Sequence, residues 1–314
     1  MYDRAARMRS LTLNSLPNTL ISSETYSPPP LLINGYRAQL QALNLLDVAR
    51  TARPSGRPIV GGVTLDDTHD HFIWRYLNSA TRIERIVLDI RATFDLVPDK
   101  LLQTLAGGKI AILDVACGCG ATVLALTTLI AELRGVRAIP TLPLTLTILG
   151  ADISPSALQI YEALLGPLKL PLAIHGVTVN WETRCCDILE ITEVVTLCDH
   201  WISAQSSADE FLIVVGNVSS LSKSKFTQMQ PGIKHMIERI SNRPGSLIWI
   251  EPLLRSGPVI IKKFLRTIEH MKSLIRLSTM LEGPSCEYNW LCPITDNTVP
   301  SGVRLIDYVR TPRE

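Results

Sequence analysis

The stretch Ile112-Leu-Asp-Val-Ala-Cys-Gly-Cys-Gly120 decides how this chain folds. Ile110–Val115 is a short apolar run that reads as a buried strand, and the residues after Gly120 read as a helix to about Leu133. Between the two lies a tight turn with glycines at 118 and 120, and Asp114 stands at the end of the strand. Glycine has no Cβ and tolerates positive φ, so such a turn lets the backbone approach a ligand closely. The helix start adds free N–H groups and the positive end of a dipole. An acidic side chain just before the turn repels a pyrophosphate but pairs well with an ammonium group. The run therefore argues against a dinucleotide and for a ligand bearing a cationic amine.

Downstream of this unit, strands and helices alternate. Leu144–Ala151 is the next strand, after which Ser154 caps and Pro155 opens a helix. Val177–Trp181, Phe211–Val215 and Leu247–Ile250 read as further strands, with helices within Thr192–Ala208, over Lys225–Ile240 and over Ile260–Leu274. Tyr288–Leu291 and Val303–Val309 pair as a final hairpin. Continuously apolar strands alternating with helices indicate a parallel sheet covered on both faces. The expected fold is α/β: a doubly wound, mostly parallel seven-stranded sheet with a terminal antiparallel hairpin and a helical N-terminal extension.

Upstream, Phe72, Ile73, Tyr76, Ile83, Ile86, Val87, Ile90 and Phe94 recur at helical spacing. Thr68 or Asp70 caps this helix and Pro98 ends it; a shorter helix over Lys100–Leu105 closes at Gly107 and Gly108. Residues 1–67 read as an extended, partly ordered arm, with three prolines at 28–30 and a basic, Pro- and Gly-containing stretch over Arg50–Pro58. Leu40, Leu45, Leu46 and Val48 form a short helix within it, and the arm packs on the domain or on a protein partner. The domain is then 68–314, with a helical lead-in over 68–108 and a Rossmann-like core over 109–314.

The acidic residue and glycine turn resemble the first motif of the class I S-adenosylmethionine-dependent methyltransferases, an acidic residue followed by G-x-G-x-G. Ala116 stands where the first glycine is usual, and Gly118 and Gly120 match the other two. The resemblance runs from about Phe72 to the C-terminus and implies roles at successive strand ends. It makes Asp114 a ligand of the amine and Asp152, in Gly150-Ala-Asp-Ile-Ser154, an acceptor for both ribose hydroxyls, with Ile153 beside it. The loop Gly135–Pro143 absorbs an unusually long interval between these two acids. Asp187 then lies on the adenine amino group and Ile188 on the ring, while Asn217, in Gly216-Asn-Val-Ser-Ser220, faces the transferable methyl group. Arg75, on the helix before the first strand, is a candidate for the cofactor carboxylate, weighed against a solvated surface charge.

The resemblance implies in-line displacement on an activated sulfonium, which needs orientation and exclusion of water more than a catalytic dyad. No catalytic residue is assigned. The strand-four end lacks the Asn/Asp-Pro-Pro-aromatic pattern that resembles enzymes acting on exocyclic amines of DNA bases. Between residues 221 and 280, eleven Lys and Arg face three Glu, a charge that suits an anionic acceptor. RNA is ranked first, an anionic or other small metabolite second and protein third. A nicotinamide-dependent oxidoreductase needs Gly or Ala at position 123, where Val123 stands. A catalytically silent binding or assembly protein on the same fold is the other alternative.

Composition bounds these readings. With 314 residues, 46% hydrophobic and 19% charged, the chain fills a substantial core, which excludes disorder, collagen and small disulfide scaffolds. A net charge of +2 names no partner. Seven cysteines, without paired C-x-x-C spacing, fit a reducing compartment and no zinc or iron–sulfur site. His69-Asp70-His71 reads as a capped helix start and not as a metal site, because adjacent residues point apart on a helix. No run of 18 apolar residues is long enough for a bilayer, and residues 1–20 lack a compact apolar segment for secretion. The expected location is the cytoplasm.

Overall fold

The computed structural model describes residues 11, 16–51, 62–218, 223–253 and 284–310. Two-residue strands β1 (Ile21–Ser22) and β2 (Thr25–Tyr26) precede helices α1 (Pro30–Ala42) and α2 (Leu46–Ala49). Helices α3 (Leu65–Leu88) and α4 (Val97–Thr104) follow. The alternating region comprises β3 (Gly108–Val115), α5 (Ala121–Gly135), β4 (Leu144–Asp152), α6 (Pro155–Ile174), β5 (Val177–Cys185), α7 (Ile191–Ala204), β6 (Glu210–Gly216), α8 (Lys223–Ile240) and β7 (Gly245–Pro252). The hairpin β8 (Ser285–Cys292) and β9 (Asn297–Arg310) completes the sheet.

The sheet runs β1-β2-β8-β9-β7-β6-β3-β4-β5. From β3 onward these are the seven expected strands, and β3 to β7 are mutually parallel. β9 lies antiparallel between β7 and β8. The fold is thus a doubly wound, Rossmann-like α/β domain. β3 sits between β4 and β6, so the chain leaves it in one direction and later returns on its other side. That reversal opens a crevice at the carboxyl ends of the strands, the usual ligand position in such sheets. Every parallel strand delivers its last residue to this one edge.

Two apolar cores flank the sheet. One collects α1, α3, α5 and α6; the other holds Trp201 and Ile202 of α7 with Phe226, Met229 and Ile233 of α8. The central strands are continuously buried because they are covered on both faces, whereas the edge strand β5 alternates buried and exposed.

Two local expectations are corrected. α3 begins at Leu65, not near Asp70, because Thr64 is its cap: the Thr64 hydroxyl accepts from Asp67 N at 3.2 Å. His69-Asp70-His71 therefore lies inside the helix. Pro98 opens α4 and does not end the preceding helix, which stops at Leu88. The N-terminal residues are also more deeply engaged than an arm outside the core would be. Leu20, Tyr26, Leu32, Tyr36 and Leu40 are buried in the main cluster, and β2 pairs in parallel with β8. Their apolar side chains are spaced along short, proline-interrupted elements, which hides any single periodicity. The helix expected over Ile260–Leu274 lies outside the described residues.

The Ser154 cap holds as expected, its hydroxyl accepting from Ala157 N at 3.3 Å. Among the described residues no helix is long and apolar enough to cross a membrane, and no three side chains cluster as a metal site.

Candidate functional site

A cavity of about 290 Å³ occupies the crevice where the strand order reverses. Its floor is the turn after β3. Ala116, Gly118 and Gly120 all take positive φ, at 50°, 53° and 76°. Around Gly118 no heavy atom lies within 4 Å of where a Cβ would be, so its backbone faces open space. Gly120 is the left-handed cap of α5, and a Cβ there would fall inside the ring of Tyr161. Ala116 pays the steric cost of the left-handed region that glycine would avoid.

Two carboxylates stand on the floor. Asp114 is 2% exposed and accepts from the Tyr161 hydroxyl at 3.1 Å through Oδ2. Burial pushes its pKa up to about 7; the Tyr161 bond opposes the shift and nearby Asp152 adds to it. A buried carboxylate held this far from its ordinary range gains most from an arriving cation. Asp152 ties the floor together, with Oδ2 accepting from Gly118 N at 2.8 Å and Oδ1 from Ser154 N at 2.9 Å. Its pKa is also raised, chiefly by burial, with those backbone bonds opposing. The Ile153 backbone also bonds to this carboxylate, which leaves about one of its four lone-pair positions for a hydroxyl donor.

The next strand ends supply the walls. Ile153, 42% exposed, lines the cavity. Asp187 and Ile188 line it after β5; Asp187 Oδ1 also accepts from Leu189 N at 2.9 Å, which fixes the turn. Asn217 lines it after β6 in left-handed conformation (φ 62°), its N–H on Ile250 O at 3.0 Å and its Oδ1 accepting from Arg82 Nη1. Behind it, buried Glu251 accepts from Val218 N at 3.0 Å and from Trp249 Nε1 at 2.7 Å.

Of the residues singled out in the sequence, Asp114, Ala116, Gly118, Asp152, Ile153, Asp187, Ile188 and Asn217 thus share one cavity. Gly120 shapes it from beneath. Arg75 is half-buried on α3 and is not among the lining residues.

The helix before the first strand forms the roof, through residues other than Arg75. Thr68, His71, Tyr76 and Ser79 of α3 line the cavity, as does Lys225 of α8. The spacing of the α3 residues, three to five apart, is that of one helix face. Thr68 bonds across to Ser154 at 3.0 Å. The N-terminal segment braces this roof: the Tyr36 ring stacks on Tyr76 at 5.1 Å and meets Phe72 edge-on at 4.9 Å. The Tyr36 hydroxyl donates to the backbone oxygens of Phe72 and Ile73, both at 3.1 Å. Such a signal was present only as aromatic residues at helical spacing, which ordinarily means core.

No family model matches the chain, and no curated protein does either. Among solved structures, a SAM-dependent methyltransferase from Aquifex aeolicus is similar over 74% of this chain and 98% of its own, at 15% identity and TM-score 0.33. An rRNA methyltransferase, aviRa, from Streptomyces viridochromogenes is similar over 82% of this chain and 90% of its own, at 14% identity and TM-score 0.33. A loganic acid methyltransferase with SAH covers 82% of this chain and 99% of its own, at 9% identity and TM-score 0.40. A short-chain dehydrogenase from Oenococcus oeni is similar over 54% and 76%, at 15% identity and TM-score 0.34. Likeness at this level carries no activity across to the present chain; the site's own chemistry has to do so.

Proposed function

We propose that the chain is an S-adenosylmethionine-dependent methyltransferase. The observation that carries this reading is Asp114, a buried carboxylate raised to about 7 beside an open glycine turn at the point of strand reversal. That environment suits an ammonium-bearing ligand and opposes a pyrophosphate. The residue requirements of the donor fit what is present. Asp114 would hold its amine, Asp152 its ribose, Asp187 its adenine amino group, and Ile153 and Ile188 its ring. When bound, the donor supplies a methyl group already activated on a sulfonium. The chain's own residues then orient the acceptor for in-line attack and keep water out. A dinucleotide reading fits less well: Val123 is fully buried in the core of α5, where the oxidoreductase fingerprint needs Gly or Ala.

For the acceptor, RNA stands ahead of a small anionic molecule, and protein comes third. Support comes from the excess of Lys and Arg over residues 221–280. Within α8 part of this charge is balanced, Lys234 by Glu238 at 3.7 Å and Arg239 by Asp199 at 2.7 Å. Among the described residues, Lys225 of α8 lines the cavity.

Calorimetric titration of the full chain with S-adenosylmethionine tests the reading. Micromolar binding, lost in Asp114→Ala and Asp152→Ala, is expected. A folded wild type that binds no donor would overturn it.

A further inference from the structure

His71 is a titratable cavity-lining group that no role above uses. It sits on the roof face of α3, between Thr68 and Tyr76, and lines the same cavity as residues at the ends of β3, β4 and β6. Its environment is set by burial first and then by the positive charges of Arg75 and Arg82 on the same helix. Both effects disfavour the imidazolium and push its pKa down to about 4. The other charged groups facing the cavity are Asp114 on β3, Asp152 on β4, Asp187 after β5 and Lys225 on α8; Asp70 adjoins it on α3. None of the carboxylates contributes to holding a proton on the ring. The result is a half-buried imidazole, biased to its neutral form, that lines one cavity with Asp114, Asp152 and Asn217.

We propose that His71 is the general base of the transfer, and that the acceptor is a hydroxyl oxygen. This rests on the methyltransferase reading. An acceptor oxygen lone pair forms the new bond to the methyl carbon as the carbon–sulfur bond breaks, its electron pair remaining on sulfur in a neutral thioether. The hydroxyl proton passes to the free nitrogen of His71. An oxygen that has gained a methyl group while keeping its proton is far more acidic than an imidazolium, so even a weakly basic ring takes that proton. A methylated aliphatic amine would keep its proton against such a base, and a carboxylate has none to lose. The loss of the sulfonium charge offsets the charge that appears on His71 beside Arg75 and Arg82. The hydroxyl belongs either to the ribose of RNA or to a small phenol or alcohol.

The full chain is assayed with tritiated S-adenosylmethionine against phenols, aliphatic alcohols, an RNA oligonucleotide and its DNA counterpart, with benzylamine and benzoate as non-hydroxyl acceptors. Transfer to a hydroxyl is expected, and the RNA and DNA arms separate a ribose hydroxyl from a small molecule. His71→Ala is expected to lower kcat by about 100-fold or more, to leave donor Kd within about threefold of wild type, and to regain rate with added imidazole. His71→Gln serves where the alanine variant is unstable. A second readout needs no turnover: diethylpyrocarbonate modifies His71 in the free protein, located by mass spectrometry, and a bound hydroxyl acceptor protects it. Variants within about threefold of wild-type kcat, transfer confined to benzylamine or benzoate, or donor binding without transfer to any hydroxyl would each overturn the proposal while leaving the donor site intact. Absence of donor binding in wild type would overturn both readings together.

Discussion

Tyr161 donates its hydroxyl to Asp114 Oδ2 at 3.1 Å while its ring lies against the backbone at Gly120 and Gly150. One side chain from α6 therefore holds the carboxylate at the end of β3, supports the turn after it and seals the start of the neighbouring strand end. The two glycines of the turn should accordingly respond differently to the same substitution. Gly120→Ala drives a methyl group into a fully buried ring, in addition to its positive φ; a loss of about 3 kcal/mol or more is expected. Gly118→Ala meets open space and pays only the left-handed backbone cost, about 1–2 kcal/mol. It should instead weaken donor binding, because its methyl group projects into the cavity. Chemical denaturation and calorimetry of the two variants separate these outcomes.

The state of Asp114 makes donor binding depend on pH. Its folded pKa lies above the unfolded value, so the folded protein retains a proton that the unfolded chain has released. Stability from this group therefore falls as pH rises from about 4 to about 7 and is level above that window. Donor affinity runs the opposite way, rising by up to about tenfold per pH unit below 7 as the carboxylate ionises. Asp114→Asn should flatten the stability profile and abolish the affinity rise. Tyr161→Phe removes the bond that favours the ionised form, so the midpoint should move upward. Titrations from pH 5.5 to 8.5 are decisive: an affinity independent of pH in wild type would refute this account.

Asp152 is the hinge pin of the floor. Asp152→Asn leaves one backbone N–H, at Gly118 or Ser154, facing an amide NH₂ in place of an oxygen. A destabilisation of about 1–3 kcal/mol is expected, with donor affinity falling further than Asp114→Asn would cause at pH 6. Equal affinity losses at that pH would count against a separate ribose role.

How much of this could be read beforehand divides along a physical line. Residues at strand ends were legible because a parallel sheet delivers all its carboxyl termini to one edge, so Asp114, Asp152, Asp187 and Asn217 converge once the alternation is recognised. Ser154-Pro155 marked a helix start by local chemistry alone. The roof was less legible. Which of Thr68, His71, Tyr76 and Ser79 meet the cavity depends on how α3 is laid over the turn. Tyr161 is one position in a strongly apolar helix, and nothing local marks it. The packing of Tyr36 on Tyr76 joins elements far apart in sequence, which no local pattern reveals.

Ala116 offers a test of how much strain the turn stores. Its φ of 50° is unfavourable for a residue with a Cβ. Ala116→Gly removes that strain and is partly offset by the greater freedom of glycine when unfolded. A net gain of up to about 1 kcal/mol is expected, with donor affinity unchanged. Denaturant midpoints at constant m-value report it, and a clear loss of stability would show that the alanine methyl group contributes packing to the turn.

The parallel pairing of β2 with β8 has a consequence for biosynthesis. Thr25 and Tyr26 pair with Asn289 and Trp290, so β2 cannot take its place in the sheet until β8 has been synthesised. Until then Tyr26 lacks the Tyr288 ring that it meets edge-on at 5.6 Å. Contacts of such long sequence separation slow folding and lengthen exposure of apolar segments. Once made, they cover the row of unpaired backbone groups that β8 would otherwise present to other chains, a frequent route to aggregation. Shortening the N-terminus would therefore first be felt as a nascent chain that sticks to its neighbours, before any change in chemistry is measured.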